Sequence, residues 1–424
     1  MKFGELNRTI RLGIIGLGGR GYGQTETLLE MPDVEIGAVC DVYPDRVADG
    51  IALVKSRRGT ECFGTTDYKL VNRMKDLDAV VIMTDWASHI RIAIDAMRCG
   101  KPVGMEVGPA SSIDECWSLV HTSEDTGLTC MLLENGCYEN QPLTLLNMIR
   151  KQVFGELVFC AGGYQHDLRE EIGNGDVNRH YRQAHFLHRN GELYPTHEIG
   201  PIAKLLNINR GNRMVSLTGM SSKAAGLHEW FLKNRADRPD LCRYKVTQGD
   251  ISSVLIRCAN GELIQLTHDC TLPRPFAQEV RVQGTNGVWR EAGHSIFIEG
   301  ESPACEDDDW HEWEGDQRWF EKYQHPLWKA YEQFGMHGGH GGLDYVMLRA
   351  FVEVIQKNGQ PPIDVYDAAA WMSIACLSEQ SVALGGTPVP IPDFTNGRWI
   401  TRGPDVPSWY SLDDVYPEQF EDLL

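Results

Sequence analysis

Short apolar runs alternate with amphipathic stretches along the first third of the chain. The apolar runs are predicted strands, at residues 12–15, 34–40, 79–84, 103–106 and 129–133. The amphipathic stretches are predicted helices, at residues 23–30, 44–56, 68–74, 89–98 and 113–125. Strands that alternate with helices in this way are typical of a parallel sheet joined by crossover helices.

After a predicted linking helix at residues 143–151, strands follow one another with few helices between them. These predicted strands lie at residues 157–164, 214–220, 252–258, 263–268 and 279–283, and later helices at 199–206, 343–356 and 365–384. Such a pattern indicates an open, mainly antiparallel sheet. Because 424 residues exceed what one hydrophobic core usually supports, we predict a parallel α/β domain at 1–140. The α+β domain then covers 141–424, with its last helices packing on its own sheet or on the first domain.

A glycine motif joins the first predicted strand to its helix. Gly16, Gly18 and Gly21 stand in G-x-G-x-x-G register, where glycine permits a tight turn and the helix N-terminus can meet a pyrophosphate. Asp41 ends the second strand, where a carboxylate can bind the adenosine ribose and would repel a 2′-phosphate. The turn alone is a weak signal that also suits a loop without a ligand. In this combined register it predicts a Rossmann domain that binds NAD rather than NADP.

The fourth and fifth predicted strands end in polar segments. Thr84, Trp86 and His89 follow one strand, and Glu106 with Val107 ends the next. Ligands of open parallel sheets bind at these carboxyl ends, so both segments could line the nicotinamide half of a cleft. Packing and helix capping are the alternative roles for Trp86 and His89.

Composition narrows the partners and the location. The net charge of -19 argues against nucleic acid and anionic membrane surfaces. No apolar run reaches the roughly 18 residues of a membrane span, and the first residues lack the pattern of a secretory signal. The 12 cysteines are scattered without a C-x-x-C pair, as expected for reduced thiols. We expect a cytoplasmic protein, unless an export signal has been removed.

With these residues placed, the chain resembles the glucose-fructose oxidoreductase and inositol dehydrogenase (Gfo/Idh/MocA) superfamily. Its dehydrogenases carry a lysine after the fifth strand, and this chain has Val107 there. The string Tyr-Pro-Thr-His-Glu-Ile-Gly-Pro at 194–201 is similar to the NAD-dependent α-N-acetylgalactosaminidases of the superfamily. Further matches lie at residues 134–138, 163–164, 207–211, 341–345, 364–369 and 391–394.

The resemblance implies a set of site residues. Cofactor contacts are implied at Gly19, Arg20, Asp41, Trp86 to His89, Glu106, Val107 and Asn135. Sugar contacts are implied at Tyr164, Arg182 and Tyr194, with His197 beside the reacting carbons. The chain departs from the subgroup at Glu198-Ile199, where Gly-Leu is usual, and at 271–276, where a sugar-binding tyrosine is expected.

The chemistry implied by the subgroup is hydrolysis without net oxidation. NAD+ takes hydride from C3 of the sugar, a base removes the acidified C2 proton, and the C1 group leaves by elimination. Water then adds and the hydride returns. Tyr194 and His197 would move the protons. If Pro195 opens a helix at its first position, both lie near a helix N-terminus. Spacing alone equally suits a core tyrosine and a buried histidine.

Three functions therefore remain open. The first is an NAD-dependent glycosidase that acts on a terminal (N-acetyl)hexosamine-type sugar. The second is a sugar or cyclitol dehydrogenase in which Tyr194 or His197 replaces the lysine as base, and the third is a non-catalytic sugar sensor. Five histidines between 166 and 197 lack the partners and spacing of a metal motif, so no metal is predicted. The exposed face of an antiparallel sheet predicts a homo-oligomer, a dimer or larger.

Overall fold

The structure, a computed structural model, divides into two compact units. Each unit is built from separate stretches of the chain. Unit 1 comprises Met1–Asn147, Gln324–Ala369 and Gly403–Leu424, and unit 2 comprises Met148–Tyr323 and Ala370–Arg402. The structure describes residues 8–303, 312–334 and 338–421.

Strands and helices are numbered in chain order. The strands are β1 (Ile10–Ile15), β2 (Val34–Cys40), β3 (Phe63–Thr65), β4 (Ala79–Ile82), β5 (Val103–Glu106), β6 (Cys130–Leu133), β7 (Leu157–Gln165), β8 (Met214–Ser221), β9 (Ile251–Cys258), β10 (Leu263–Asp269), β11 (Arg281–Gly284), β12 (Gly287–Arg290), β13 (Ser295–Ile298), β14 (Glu314–Gly315) and β15 (Val389–Pro390). The helices are α1 (Gly19–Glu30), α2 (Pro44–Arg58), α3 (Tyr68–Asn72), α4 (His89–Arg98), α5 (Ile113–Thr126), α6 (Asn140–Arg150), α7 (Arg169–Gly173), α8 (Gly175–Asn178), α9 (Arg182–His188), α10 (Thr196–Leu205), α11 (Gly226–Asn234), α12 (Pro239–Arg243), α13 (Gln317–Tyr323), α14 (Pro326–Phe334), α15 (Leu343–Lys357) and α16 (Val365–Ala383).

Unit 1 contains a parallel sheet of six strands in the order β3-β2-β1-β4-β5-β6. Every residue of β4, β5 and β6 is buried, as expected for strands that are covered on both faces. This order places β1 and β4 side by side. Strands β2 and β3 therefore lie on one side of β1, and β4 to β6 lie on the other. Ligands of such sheets bind outside the carboxyl ends of the strands at this point. The predicted Rossmann fold is confirmed.

Local signals in the sequence explain where the helices of unit 1 begin and end. The side chain of Ser112 accepts the backbone N–H of Glu115 at the start of α5. Gly127 ends that helix in the left-handed conformation with φ of 64°, which glycine adopts at no steric cost. Helix α15 belongs to the same unit, where Phe351 packs so closely on β5 that a Cβ at Gly104 would lie 3.2 Å from its ring.

Unit 2 contains a sheet of nine strands in the order β14-β13-β12-β11-β7-β10-β9-β8-β15. Only β7 and β10 pair in parallel among the described strands, and the other neighbours pair antiparallel. Burial alternates along β9 and β10, which is typical of strands with one covered face. Helix α10 covers β7, where a Cβ at Gly162 would lie 3.1 Å from Ile202. The predicted open, mainly antiparallel sheet is confirmed.

No helix in the described part of the chain combines the length and the apolar character that crossing a bilayer requires.

Candidate active site

The turn after β1 in unit 1 accepts only glycine at two of its positions. Gly16 has φ of 101°, and a Cβ there would lie 2.3 Å from the carbonyl oxygen of Met83. A Cβ at Gly21 would lie 2.1 Å from the carbonyl oxygen of Gly16. Both positions exclude larger residues because the backbone of α1 packs directly on the strands.

The N-terminus of α1 is open above this turn. The helix begins at Gly19, and the residue before it, Gly18, supplies no side-chain cap. A Cβ at Gly19 would meet no atom within 4 Å. The first N–H groups of a helix attract anions when no side chain caps them. The turn therefore fits the pyrophosphate of a dinucleotide.

Asp41 follows the end of β2 and is held by the backbone. Its Oδ2 accepts the N–H of Leu17 at 2.8 Å, and its Oδ1 accepts the N–H of Tyr43 at 3.0 Å. The guanidinium of Arg46 lies 3.8 Å from the same carboxylate. This carboxylate stands where the adenosine ribose of NAD is bound in Rossmann folds.

Replacing Asp41 with serine should shift the nucleotide preference toward NADP+. Serine removes the charge that repels a 2′-phosphate and leaves Arg46 free to pair with one. Fluorescence titration should show the ratio of NAD+ to NADP+ affinity falling by roughly 10-fold or more, since charge-assisted hydrogen bonds contribute about 1.5–3 kcal/mol. An unchanged ratio would mean that Asp41 serves only to hold the turn.

Two predicted cofactor residues, Arg20 and Asn135, meet a histidine at one carboxylate that the sequence pattern did not single out. Asp344 accepts two hydrogen bonds from Arg20, both at 2.8 Å, and one from Asn135 at 2.8 Å. Arg20 also donates to Glu106 at 3.0 Å. His340 contacts the same carboxylate at 2.7 Å.

Charge pairing sets the protonation of this network. Burial alone would raise the pKa of Asp344, but the hydrogen bond from His340 and the charge of Arg20 outweigh it and hold that pKa below its ordinary range. The hydrogen bond to Asp344 raises the pKa of His340. The Gly-Gly-Leu-Asp-Tyr match at 341–345 was the available signal for Asp344. The pattern by itself did not indicate which chain segment it would meet.

Trp86 and His89 are buried under the segment that follows β5. A Cβ at Gly108 would lie 2.5 Å from Trp86 and 2.8 Å from His89. The Nε2 of His89 lies 3.2 Å from the carbonyl oxygen of Pro109, and burial lowers the pKa of His89 to about 4. His89 is therefore neutral at pH 7. Both residues pack against this segment, and a direct cofactor contact by them stays a prediction.

Thr84 and Val107 flank the same region. The hydroxyl of Thr84 accepts a hydrogen bond from Ser88 at 3.0 Å. Val107 is buried, and its N–H donates to the carboxylate of Glu106 at 3.0 Å. Valine cannot donate or accept a proton through its side chain, so this position supplies no acid or base.

Unit 2 brings the four predicted sugar residues together. The ring of Tyr194 lies 4.8 Å from that of Tyr164 and 4.9 Å from that of His197. The Tyr164 and His197 rings are 5.6 Å apart. Arg182 places its guanidinium 4.9 Å from the Tyr194 ring and 5.9 Å from the Tyr164 ring. We call these four residues the aromatic cluster.

Different elements position the members of the aromatic cluster. Tyr164 lies near the end of β7, and Arg182 is the first residue of α9. Helix α10 begins at Thr196, so Pro195 is its N-cap and not the first helical residue as expected. Proline has no backbone N–H to donate, and the φ of -67° at Pro195 suits the N-cap as well as the first helical position. His197 is thereby placed in the first turn of the helix.

Burial controls the charges around the aromatic cluster. It raises the pKa of Tyr164, although the nearby Arg182 guanidinium acts in the opposite direction. Burial and then Arg182 lower the pKa of His268 to about 3, and the same causes lower the pKa of His166. These histidines are neutral at pH 7, so Arg182 is the fixed positive charge of the cluster. Its charge is met by Glu171 at 3.1 Å.

His268 and Phe276, which no sequence motif singled out, also border the aromatic cluster. Their rings lie 6.5 Å and 6.4 Å from that of Tyr164. Phe276 is 56% exposed and comes from the segment where the resemblance leads one to expect a tyrosine. Among the described residues, no group of three or more potential ligands could hold a metal ion.

Two family models match successive parts of the chain. Residues 10–133 match the oxidoreductase family with an NAD-binding Rossmann fold, and residues 138–401 match the C-terminal domain of glycosyl hydrolase 109. An alpha-N-acetylgalactosaminidase of Tannerella forsythia is 37% identical over 95% of this chain and 89% of its own length. The chain belongs to glycosyl hydrolase family 109.

Other relatives agree with this assignment. A family 109 protein of Stenotrophomonas maltophilia is 39% identical over 94% of this chain and 91% of its own length. The scyllo-inositol dehydrogenase of Lactobacillus casei, solved with NAD(H) and scyllo-inositol, has a TM-score of 0.62 at 14% identity and covers 91% of this chain and 99% of its own. Thus the family 109 chain shares the dehydrogenase fold, and its NAD-binding domain carries the Gly16 turn and Asp41.

Proposed function

We propose that the protein is an NAD-dependent glycoside hydrolase that acts on a terminal sugar of the N-acetylhexosamine type. The aromatic cluster carries this proposal, because it joins a phenol, an imidazole and a guanidinium within the residues that match the family 109 domain. The named activity of the Tannerella relative supports the sugar class. The proposal assigns the cofactor to unit 1 and the sugar to unit 2.

The proton transfers fall to Tyr194 and His197. When bound, NAD+ supplies transient oxidation of the sugar at C3, which acidifies the hydrogen on C2. The chain must then accept the C2 proton and protonate the oxygen that leaves C1, with groups whose pKa values suit the working pH. Tyr194 and His197 are adjacent groups that can donate and accept protons. Either one can serve either atom.

Arg182 is proposed to hold the two tyrosines and the sugar. Its guanidinium contacts both tyrosine rings, and its hydrogen bond to Glu171 fixes its direction. A guanidinium beside a phenol favours the phenolate, and so offsets part of the effect of burial. Val107 supports hydrolysis over simple dehydrogenation, because it replaces the lysine that the dehydrogenases carry.

Hydrolysis in D2O should place deuterium at C2 of the released sugar. An elimination breaks the C2–H bond and rebuilds it from solvent, whereas a two-carboxylate glycosidase never does so. Mass spectrometry and NMR of the product, from aryl N-acetylgalactosaminides of both anomers, measure the label. Free sugar incubated with the enzyme in D2O controls for exchange after release. Unlabelled product from an active enzyme would exclude the elimination.

Measurements of NADH and of sugar binding separate the two alternative functions. Accumulation of NADH in proportion to an unsubstituted sugar would indicate a dehydrogenase. Sugar binding without turnover would indicate a sensor.

We also propose a cytoplasmic homo-oligomer. The open face of the unit 2 sheet exposes the large apolar side chains of Met220, Leu255 and Leu263, which supports a partner copy on that face. The described cysteines are free thiols, which supports a reducing compartment. Sedimentation of the purified protein tests the oligomer, and a monomer at all concentrations would contradict it.

A further inference from the structure

Two buried glutamates flank the reactive segment of the aromatic cluster. Glu192 precedes Tyr194 by two residues and is 0% exposed, and Glu198 directly follows His197 and is 3% exposed. Their carboxyl groups interact with each other. We call Glu192 and Glu198 the carboxyl pair.

The surroundings of the carboxyl pair supply few hydrogen bonds. Glu192 accepts the N–H of Tyr194 at 3.1 Å through Oε1. Its Oε2 and both oxygens of Glu198 make no hydrogen bond of ordinary geometry with the described residues. The backbone of Glu198 packs on β7, where a Cβ at Gly162 would lie 3.4 Å from its carbonyl oxygen. Carboxylates without such bonds are costly to bury, so the neutral acid is the favoured form.

No cation compensates the carboxyl pair within the described residues. Arg182 lies over the tyrosine rings and donates to Glu171. Two other arginines of unit 2 pair with different carboxylates, Arg189 with Glu379 at 2.7 Å and Arg274 with Asp269 at 2.9 Å. The thiol of Cys270, which also faces the pair, is neutral because burial raises its pKa.

Burial without a compensating cation raises the pKa values of both glutamates. Burial raises the pKa of Glu192 to about 8, although the Tyr194 N–H and Glu198 act against the shift. Burial, together with the charge of Glu192, raises the pKa of Glu198 well above its ordinary range, although the backbone at Tyr164 and Thr267 acts against this shift. Protons are therefore held by the pair at neutral pH.

We propose that Glu192 and Glu198 form a proton-holding carboxyl pair that keeps negative charge away from Tyr194 and His197. Both glutamates are positioning residues, and this role rests on the proposed function. A carboxylate formed there would favour the protonated phenol and imidazole, and so lower the fraction of each that is free to accept a proton. The protonation of Glu192 and Glu198 thus sets the pH range in which Tyr194 and His197 can act.

Infrared difference spectroscopy of the holoenzyme tests the pair without any substrate. Spectra of wild type minus Glu192→Gln, and of wild type minus Glu198→Gln, should show the C=O stretching band of a protonated carboxyl group at neutral pH. The Glu192 band should disappear as the pH rises through about 8. Glu229→Gln, an exposed site on α11, is the matched control and should show no such band. Absence of the band in both pair variants at neutral pH would overturn the proposal.

The free energy of unfolding should also depend on the protonation of Glu192. The unfolded chain releases the Glu192 proton near 4.5, and the folded chain keeps it to about pH 8. This contribution is fully present below 4.5 and is lost as the pH rises to about 8. Denaturant unfolding should therefore show a flatter pH dependence for Glu192→Gln than for wild type. Equal slopes would contradict the assignment.

The pH profile of kcat separates a positioning role from a structural one. Wild-type kcat should fall above about pH 8, and Glu192→Gln should lack this fall. Glu198→Gln should leave the midpoint close to that of wild type, because the amide replaces the protonated Glu198 as a neutral hydrogen-bond donor to Glu192. The KM and the NAD content should stay unchanged. If wild type and Glu192→Gln gave superimposable profiles, the positioning role would be overturned, whereas a band without any glycosidase activity would count against the proposed function only.

Discussion

Replacing Tyr194 with phenylalanine is expected to lower kcat for glycoside hydrolysis by roughly 10²-fold or more. Phenylalanine keeps the ring that packs on Tyr164, His197 and Arg182 at 4.8 to 4.9 Å. It loses only the hydroxyl, which is the group that can move a proton. The loss should therefore fall on kcat, with the fold and the NAD content of the protein intact.

Release of aryl alcohol from N-acetylgalactosaminides measures this effect, and absorbance of the purified protein measures the bound NAD. Tyr244→Phe is the matched control, because its hydroxyl contacts His188 at 2.9 Å in the same unit and no step of the mechanism uses it. If Tyr194→Phe and Tyr244→Phe both keep wild-type kcat, Tyr194 is a packing residue. His197 alone would then remain as the candidate base.

The parallel sheet of unit 1 could be predicted because its strands carry the pattern that burial on both faces requires. Runs such as that of β4 are apolar throughout, and glycine occupies Gly16, where the backbone tolerates no side chain. Strand β3 was missed because its three residues are too short for any periodicity. The short helices α7 to α9 were missed for the same reason.

The candidate site was predictable only where its residues are neighbours in the sequence or match a known motif. Tyr194 and His197 came from one such string, and spacing alone would have suited a core as well. Asp344 meets Arg20 across 324 positions of the chain, and no local pattern links two residues so far apart. Glutamate is usually exposed to solvent, so the local sequence did not indicate that Glu192 and Glu198 are buried. Only the packing of β7 and α10 shows that they are.

Replacing Asp344 with asparagine is expected to weaken NAD binding by roughly 10- to 100-fold. The carboxylate gathers Arg20, Asn135 and His340, and two of these are predicted cofactor contacts. Asparagine removes the charge that opposes the guanidinium, and charge-assisted hydrogen bonds of this kind contribute about 1.5–3 kcal/mol. Arg20 would lose its ion pair with residue 344 and keep the one with Glu106. Its guanidinium would no longer be held in one direction beside the N-terminus of α1.

The NAD content after gel filtration and the affinity of the nucleotide-free protein measure this effect. Asp125→Asn, an exposed site on α5 of the same unit, controls for the loss of one charge. In Asp344→Asn, added NAD+ should restore hydrolysis, because the aromatic cluster belongs to unit 2 and the variant leaves it unchanged. A variant that retains wild-type NAD content would show that the network stabilises unit 1 without holding the cofactor. Retention of NAD through many turnovers would then have to come from the Gly16 turn and Asp41 alone.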